Sequence, residues 1–229
     1  VRAGAELFPH SPAVAIEKDG TLHVVKTPRG SIRAESIILA SNGYTEELVP
    51  SLRRRIIPLN IKAIATEPLP VELADRLFPE RYCYWDTFRL FHYYQRTDDN
   101  RLVFGGVSAL GRGGVLGEAQ AQYGRMVRIF PDMADVKLDY AWDGMVALTF
   151  DRLPHLGQME GIYYALGFNG DGVLLGCYLG SKIAAMVSGE EDPLALSQIT
   201  FPAKGFYRRR PWFYPIARAF YGTLDKLGV

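Results

Sequence analysis

The segment from Ile162 to Ser188 constrains the fold most. A run of strand-forming residues, Ile162-Tyr-Tyr-Ala-Leu166, meets a glycine-rich turn, Gly167-Phe-Asn-Gly-Asp-Gly172, and then a proline-free apolar stretch, Val173 to Ser188. Such an order predicts a strand, a tight turn and a buried helix over Gly172 to Ser188. Glycine tolerates positive φ and lets a ligand approach the backbone. The helix start carries unpaired N–H groups and about half a positive charge, which suits a phosphate or a ring that becomes anionic. Asp171 precedes the helix and is expected to cap it. Gly172, Gly176 and Gly180 recur at every fourth position and make a bare ridge for close packing. Taken alone, these glycines fit packing as well as ligand binding. Cys177, inside the apolar helix, reads as a reduced core thiol.

Upstream, Ser36-Ile-Ile-Leu-Ala40 reads as a buried parallel strand that opens onto Ser41-Asn-Gly43. Buried strands ending in small residues are where α/β folds place ligands. Ala5 to Phe8 is expected as a strand entered from a helix ending over Val1 to Gly4. Ala13 to Lys18 and Leu22 to Lys26 flank Asp19-Gly20, a hairpin signal. From Arg53 the character changes. Ile56 to Thr66 reads as a strand and Val71 to Phe78 as a short helix. Leu90 to Gln95 and Arg101 to Gly106 flank a second hairpin turn, Thr97-Asp-Asp-Asn100. A glycine-rich loop, Gly105 to Gly117, leads to a helix over Gln120 to Phe130. Beyond it, Val136 to Trp142 and Met145 to Leu148 read as short strands, and Ile216 to Leu227 as a final helix.

Composition excludes several classes. The 26 Lys/Arg and 25 Asp/Glu give a net charge of +1, so no nucleic acid is expected as partner. Two cysteines, Cys83 and Cys177, give no disulfide framework, and His10, His23, His92 and His155 show no metal spacing, so no metal is expected. With no signal peptide in view, this usage fits a cytoplasmic protein. No apolar run reaches the roughly 18 residues of a membrane span. Gly-x-Ser-x-Gly and phosphate-binding P-loop motifs are absent. Lys204-Gly-Phe-Tyr-Arg-Arg-Arg210 reads as a solvated basic face, and Trp212, Phe213 and Tyr214 could dock on the rest of a fold.

A second constellation is Trp142-Asp-Gly-Met-Val-Ala-Leu-Thr-Phe-Asp-Arg-Leu-Pro-His-Leu-Gly157. It predicts a strand leading to Thr149, Asp151 and Pro154, with the chain turning back at Gly157. Alone, it fits an ordinary turn with Asp151 as its cap. Together, Ile38-Leu-Ala-Ser-Asn-Gly-Tyr44, Leu148 to Gly157 and Leu166 to Val173 resemble one family. It is the FAD-dependent oxidoreductases of the D-amino-acid oxidase, glycine oxidase and sarcosine oxidase group, in the gamma-glutamylputrescine oxidoreductase-like branch. Pro12-Ala-Val-Ala-Ile16 resembles the strand whose valine, here Val14, offers its backbone to the adenine. The resemblance covers nearly the whole chain.

It implies an α/β (α+β) fold: an incomplete FAD/NAD(P)-binding domain lacking its N-terminal βαβ unit, plus an antiparallel-sheet substrate domain. The expected division is 1–52 (FAD domain), 53–134 (substrate domain), 135–190 (return to the FAD domain) and 191–229 (tail). FAD is the implied cofactor. Val14, Ala40, Ser41, Asn42, Gly43, Asp151, Gly167, Asn169, Gly170, Asp171, Gly172 and Val173 are the implied cofactor-binding residues. Members often carry His at the position of Asp171. No Gly-x-Gly-x-x-Gly follows a first strand, so the chain reads as a truncated, C-terminal portion, completed by a missing N-terminal segment or a second subunit. The implied chemistry is hydride removal from the carbon beside an amine of a small amine or amino acid. Oxidation of a C–OH bond and a catalytically silent folded fragment are the alternatives. The implied substrate pocket faces the flavin from the sheet, with Tyr93, Tyr94, Arg96, Trp85 and Trp142 as candidates. Alternation puts Tyr94 and Arg96 on one strand face and Tyr93 on the other. No arginine stands clearly where amino-acid oxidases hold the substrate carboxylate, which favours an amine.

Overall fold

The computed structural model describes residues 4–107, 114–190, 195–207 and 211–227. In chain order the elements are β1 (Ala15–Asp19), β2 (Leu22–Thr27), β3 (Gly30–Ala34), β4 (Ile37–Leu39), α1 (Pro50–Arg53), β5 (Ile56–Thr66), α2 (Val71–Leu77), β6 (Cys83–Trp85), β7 (His92–Arg96), β8 (Leu102–Val107), α3 (Gly114–Ile129), β9 (Leu138–Thr149), β10 (His155–Met159), β11 (Ile162–Leu166), α4 (Gly172–Val187) and α5 (Tyr214–Leu227). They divide into two compact units, 1–58 with 146–210 and 59–145 with 211–229. Sequence reading sets these boundaries at 52/53 and 134/135 and keeps 191–229 as one tail. The two long strands β5 and β9 account for the difference. Each runs through a boundary as continuous strand, so no linker composition marks the crossing. The expected strands Val136 to Trp142 and Met145 to Leu148 are one strand. Ala5 to Phe8 is not a strand. The expected helix end at Val1 to Ala3, residues 108–113 of the glycine-rich loop and Arg208 to Arg210 lie outside the described residues.

In the first unit, β1, β2 and β3 form an antiparallel sheet, and Gly20 supplies the positive φ of +63° at the first hairpin. A second sheet has the order β10-β11-β4, with β11 antiparallel to β10 and parallel to β4. The middle strand β11 is buried on both faces. Ile162, Tyr164 and Leu166 enter a cluster with Leu39, Leu52, Ile56 and Phe201. Ala165, on the other face, packs with Leu156 and with Leu179 and Ile183 of α4. This two-sided burial explains why β11 reads as a continuous apolar run rather than an alternating one.

In the second unit five strands take the order β6-β7-β8-β5-β9. Register aligns Tyr84, Tyr94, Phe104 and Ile64 in one row across four strands. This row packs with Phe78, Met126 and Met133 into the unit's core. Gln122 of α3 is fully buried and donates to the Lys62 and Gly106 carbonyls, fixing the helix against the sheet.

Candidate cofactor site

Three segments meet where β11 ends. Gly167 adopts φ +75°, Asn169 +53° and Gly170 +113°, so the turn depends on residues that tolerate left-handed backbone. Gly167 has a second reason to be glycine: a Cβ there would lie 2.2 Å from Thr149 Cγ2. Its N–H donates to Asn42 Oδ1 at 3.0 Å, and its carbonyl accepts from Asn169 Nδ2 at 2.7 Å. Asn169 also donates its N–H to the Ala147 carbonyl at 3.0 Å and accepts from the Thr149 N–H at 3.0 Å. Thr149 Oγ1 reaches the Leu153 carbonyl at 3.0 Å. The short side chains of Asn42, Thr149 and Asn169 thus tie the β4 turn, the end of β9 and the glycine turn together. Thr149 does not stand among the expected cofactor-binding residues. Its signal was its place two residues before Asp151.

The turn delivers α4 with an open N-terminus. Asp171 stands at the N-cap with φ −88° and ψ 35°, but its side chain makes no capping bond. The expected cap is therefore not formed: Asp171 is exposed and only its backbone is used, its N–H donating to the Phe168 carbonyl at 2.9 Å and its carbonyl accepting from the Leu175 N–H at 3.1 Å. Among the described residues, the first N–H groups of this 16-residue helix are left without a side-chain cap. Among the described residues, its two chain neighbours aside, no atom lies within 4 Å of a Cβ placed on Gly170, so the approach is clear. Val173 and Leu174 are 90% and 74% exposed, while only Leu179 and Ile183 of α4 are buried. The helix is apolar but not buried, which corrects the sequence expectation. Cys177 is likewise exposed rather than a core thiol. A Cβ on Gly176 or Gly180 would meet nothing within 4 Å among the described residues, and one on Gly172 would meet only the Phe168 ring at 3.6 Å, so most of the small-residue ridge has no packing partner there.

Asp151 braces the neighbouring loop. Its carboxylate meets His155 Nε2 at 3.0–3.1 Å and accepts the Leu153 N–H at 3.2 Å. Burial opposes its ionisation, but these hydrogen bonds outweigh burial and hold the carboxyl below its ordinary range. His155 is 1% exposed, stacks on Phe201 at 4.1 Å and keeps Nδ1 buried without a partner. The chain does not turn at Gly157. It continues through β10 and turns at Glu160-Gly161, where φ is +56° and +83°. His155 was not anticipated, although its i,i+4 spacing from Asp151 was visible.

Gly43 is buried in the turn after β4, Ala40 is exposed, and Ser41 Oγ pairs with Thr45 Oγ1 at 2.9 Å. Val14 lies just before β1, exposed, its N–H donated to the Lys26 carbonyl at 2.8 Å. In the second unit Tyr94 and Arg96 do share a face, but it is the core face. Arg96 is 6% exposed and binds Asp75, the Phe78 carbonyl and Asn100. Tyr94 stacks on Tyr84 and Phe104. Both are committed to the interior of their own unit. The opposite face carries the row Trp85, Tyr93, Gly105 and Ala63. A Cβ on Gly105 would come within 2.4 Å of the Tyr93 ring, so Gly105 lets that ring lie flat on the sheet. Trp142 falls between Ala141, which packs in the core, and Asp143, which pairs with Lys62, so alternation puts it on the Tyr93 face.

A parallel strand pair that feeds a glycine turn and an uncapped helix is the arrangement in which α/β folds bind nucleotide-like ligands at the carboxyl ends of their strands. Residues 1–186 match the family model of the FAD dependent oxidoreductases (DAO), and the chain belongs to that family. It is 34% identical over 210 residues to gamma-glutamylputrescine oxidoreductase of Escherichia coli, covering 90% of this chain and 49% of that protein. It is 26% identical to glycine oxidase of Geobacillus kaustophilus, covering 85% of this chain and 52% of that protein. The crystal structure of the Geobacillus enzyme superimposes with a TM-score of 0.69 at 21% identity, over 87% of this chain and 54% of that one. That of L-proline dehydrogenase from P. horikoshii gives 0.65 at 18% identity, over 94% of this chain and 57% of that one. The chain thus spans about half the length of the relatives it matches. The family's cofactor is FAD, and the open α4 N-terminus beside an unobstructed Gly170 fits an electron-rich ring edge or phosphate. No helix among the described residues is long and apolar enough to cross a membrane.

Proposed function

We propose that this chain is the flavin-facing and substrate-facing portion of an FAD-dependent oxidoreductase that oxidises the CH–NH bond of a small amine. One observation carries the reading: the α4 N-terminus is left uncapped by a turn that three side chains hold rigid. When bound, FAD supplies the redox chemistry by accepting a hydride from the carbon next to the amine. The chain's part is to hold and polarise. The N–H groups of Gly172 and Val173 would stabilise charge at the ring edge they face, with Gly170 giving clearance. Asn42, Thr149 and Asn169 keep those donors in place. Val14, Ala40, Ser41 and Gly43 would serve the nucleotide part, and Asp151 acts by bracing the loop with His155.

Substrate is assigned to the Trp85, Tyr93 and Trp142 face of the second unit's sheet. The aromatic rings there suit a protonated amine through cation–π contact. Arg96 and Arg101 are both paired with carboxylates, which leaves neither to hold a substrate carboxylate. The name of gamma-glutamylputrescine oxidoreductase agrees with an amine derivative as the substrate class. The exposed edge of β4 and the apolar surface of α4 would receive the remaining half of the nucleotide-binding domain, from the same chain or from a second subunit, in the cytoplasm.

The test is a substrate panel on the full-length protein, purified with its flavin. Amine-dependent turnover above that of the matching alcohol and α-amino acid supports the reading. Turnover of the alcohol alone would replace it with C–OH oxidation, and a colourless, inactive protein would leave only a silent folded module.

A further inference from the structure

The second unit contains a cleft of about 310 Å³ outside the aromatic face. Arg125 and Arg128 of α3, one turn apart on the same helix face, and Arg218 of α5 line one part of it. Phe88, Leu90, Val107, Gly222 and His92, whose Nδ1 is paired with Asp86 at 2.7 Å, line most of the rest. One carboxylate, Asp225, borders the cleft and is already engaged. It accepts the Arg89 and Leu90 N–H groups at 2.9 and 3.2 Å, and the Arg89 guanidinium lies 3.7 Å away. None of Arg125, Arg128 and Arg218 makes an ion pair among the described residues. Arg125 only donates to Gln122 Oε1 at 3.2 Å. The Nε of Arg218 is buried with no hydrogen-bond partner.

Three guanidiniums outnumber the two carboxylates near them, buried Glu118 and the already engaged Asp225, and repel one another. Burial and then the positive charge of Arg218 depress the pKa of Arg125; Glu118 works against this and Arg128 adds to it. A fold gains nothing in stability from such a cluster, whereas planar guanidinium forks match the oxygens of phosphate and carboxylate. We propose that the cleft is a binding site for a small organic anion, its phosphate or carboxylate group held by Arg125, Arg128 and Arg218 and its apolar body resting on Phe88, Leu90 and Val107.

Calorimetric titration of the full-length protein with inorganic phosphate and with phenyl phosphate, at constant ionic strength, tests this. Phenyl phosphate is expected to bind more tightly than phosphate. Arg218→Gln is expected to weaken both by about tenfold or more, the loss of one charge-assisted hydrogen bond. Arg128 is exposed, so Arg128→Gln tests the site without endangering the fold. It should weaken binding while leaving the thermal midpoint of the ligand-free protein unchanged or raised. Absence of saturable binding to either anion, or wild-type affinity in both variants, would overturn the proposal. Equal affinity for the two anions would overturn its apolar half. The titration does not depend on amine oxidation, so it fails or succeeds separately from the enzymatic assignment.

Discussion

The two units both pack helices against a sheet, yet they use polar side chains in opposite ways. In the first, Asn42, Thr149 and Asn169 bind backbone at a glycine turn and leave the donors of α4 open. In the second, Arg96 satisfies Asp75, Asn100 and the Phe78 carbonyl at once, and Gln122 satisfies two carbonyls, so polarity closes on itself inside an aromatic core. A polar network that ends in unpaired donors marks a place for a ligand. One that ends in carbonyls of its own unit marks structure, even when it contains an arginine on a strand.

The largest test of this contrast is Gly167→Ala. The new Cβ would collide with Thr149 Cγ2, and φ +75° is unfavourable for alanine. A loss of about 3 kcal/mol is expected, read from the urea midpoint, with loss of flavin from the full-length protein. Thr149→Ser removes the colliding methyl and should recover part of it; no recovery would show that the strain lies in the backbone alone. Next is Arg96→Leu. It breaks a buried network whose carboxylate partner is largely exposed, so a loss of about 2 kcal/mol is expected with kcat/KM unchanged on the folded fraction. A selective rise in KM would return Arg96 to the substrate site. Asn42→Gly keeps the left-handed backbone and removes only the acceptor for the Gly167 N–H, at a cost of about 1 kcal/mol. The smallest effect is on pH dependence. Asp151 is held below its ordinary range, so its contribution is complete above about pH 4 and declines as pH falls through its folded pKa. The stability gap between wild type and Asp151→Asn should narrow over that acid range. A gap that widens there would contradict the sign.

The glycine turn was legible in the sequence because Gly167, Asn169 and Gly170 are residue types that the backbone itself demands. The sheet was legible too: β5 and both hairpins stand where turn residues and strand-forming runs place them. What escaped needed a third dimension. Alternation groups Tyr94 with Arg96 correctly, but it cannot say which face is core. That is decided by Phe104 and Ile64 on strands β8 and β5. Cys177, Val173 and Leu174 read as buried because hydropathy counts apolar residues without asking what faces them. The stacking of His155 on Phe201 depends on a segment 46 residues beyond His155, and local pattern carries no trace of it.

The most direct test of the central assignment is anaerobic mixing of the full-length protein with a small primary amine and, separately, its matching alcohol, while following flavin absorbance near ~450 nm. The account predicts bleaching by the amine and none by the alcohol. A protein that carries no flavin, or a flavin bleached by the alcohol and not by the amine, would contradict it.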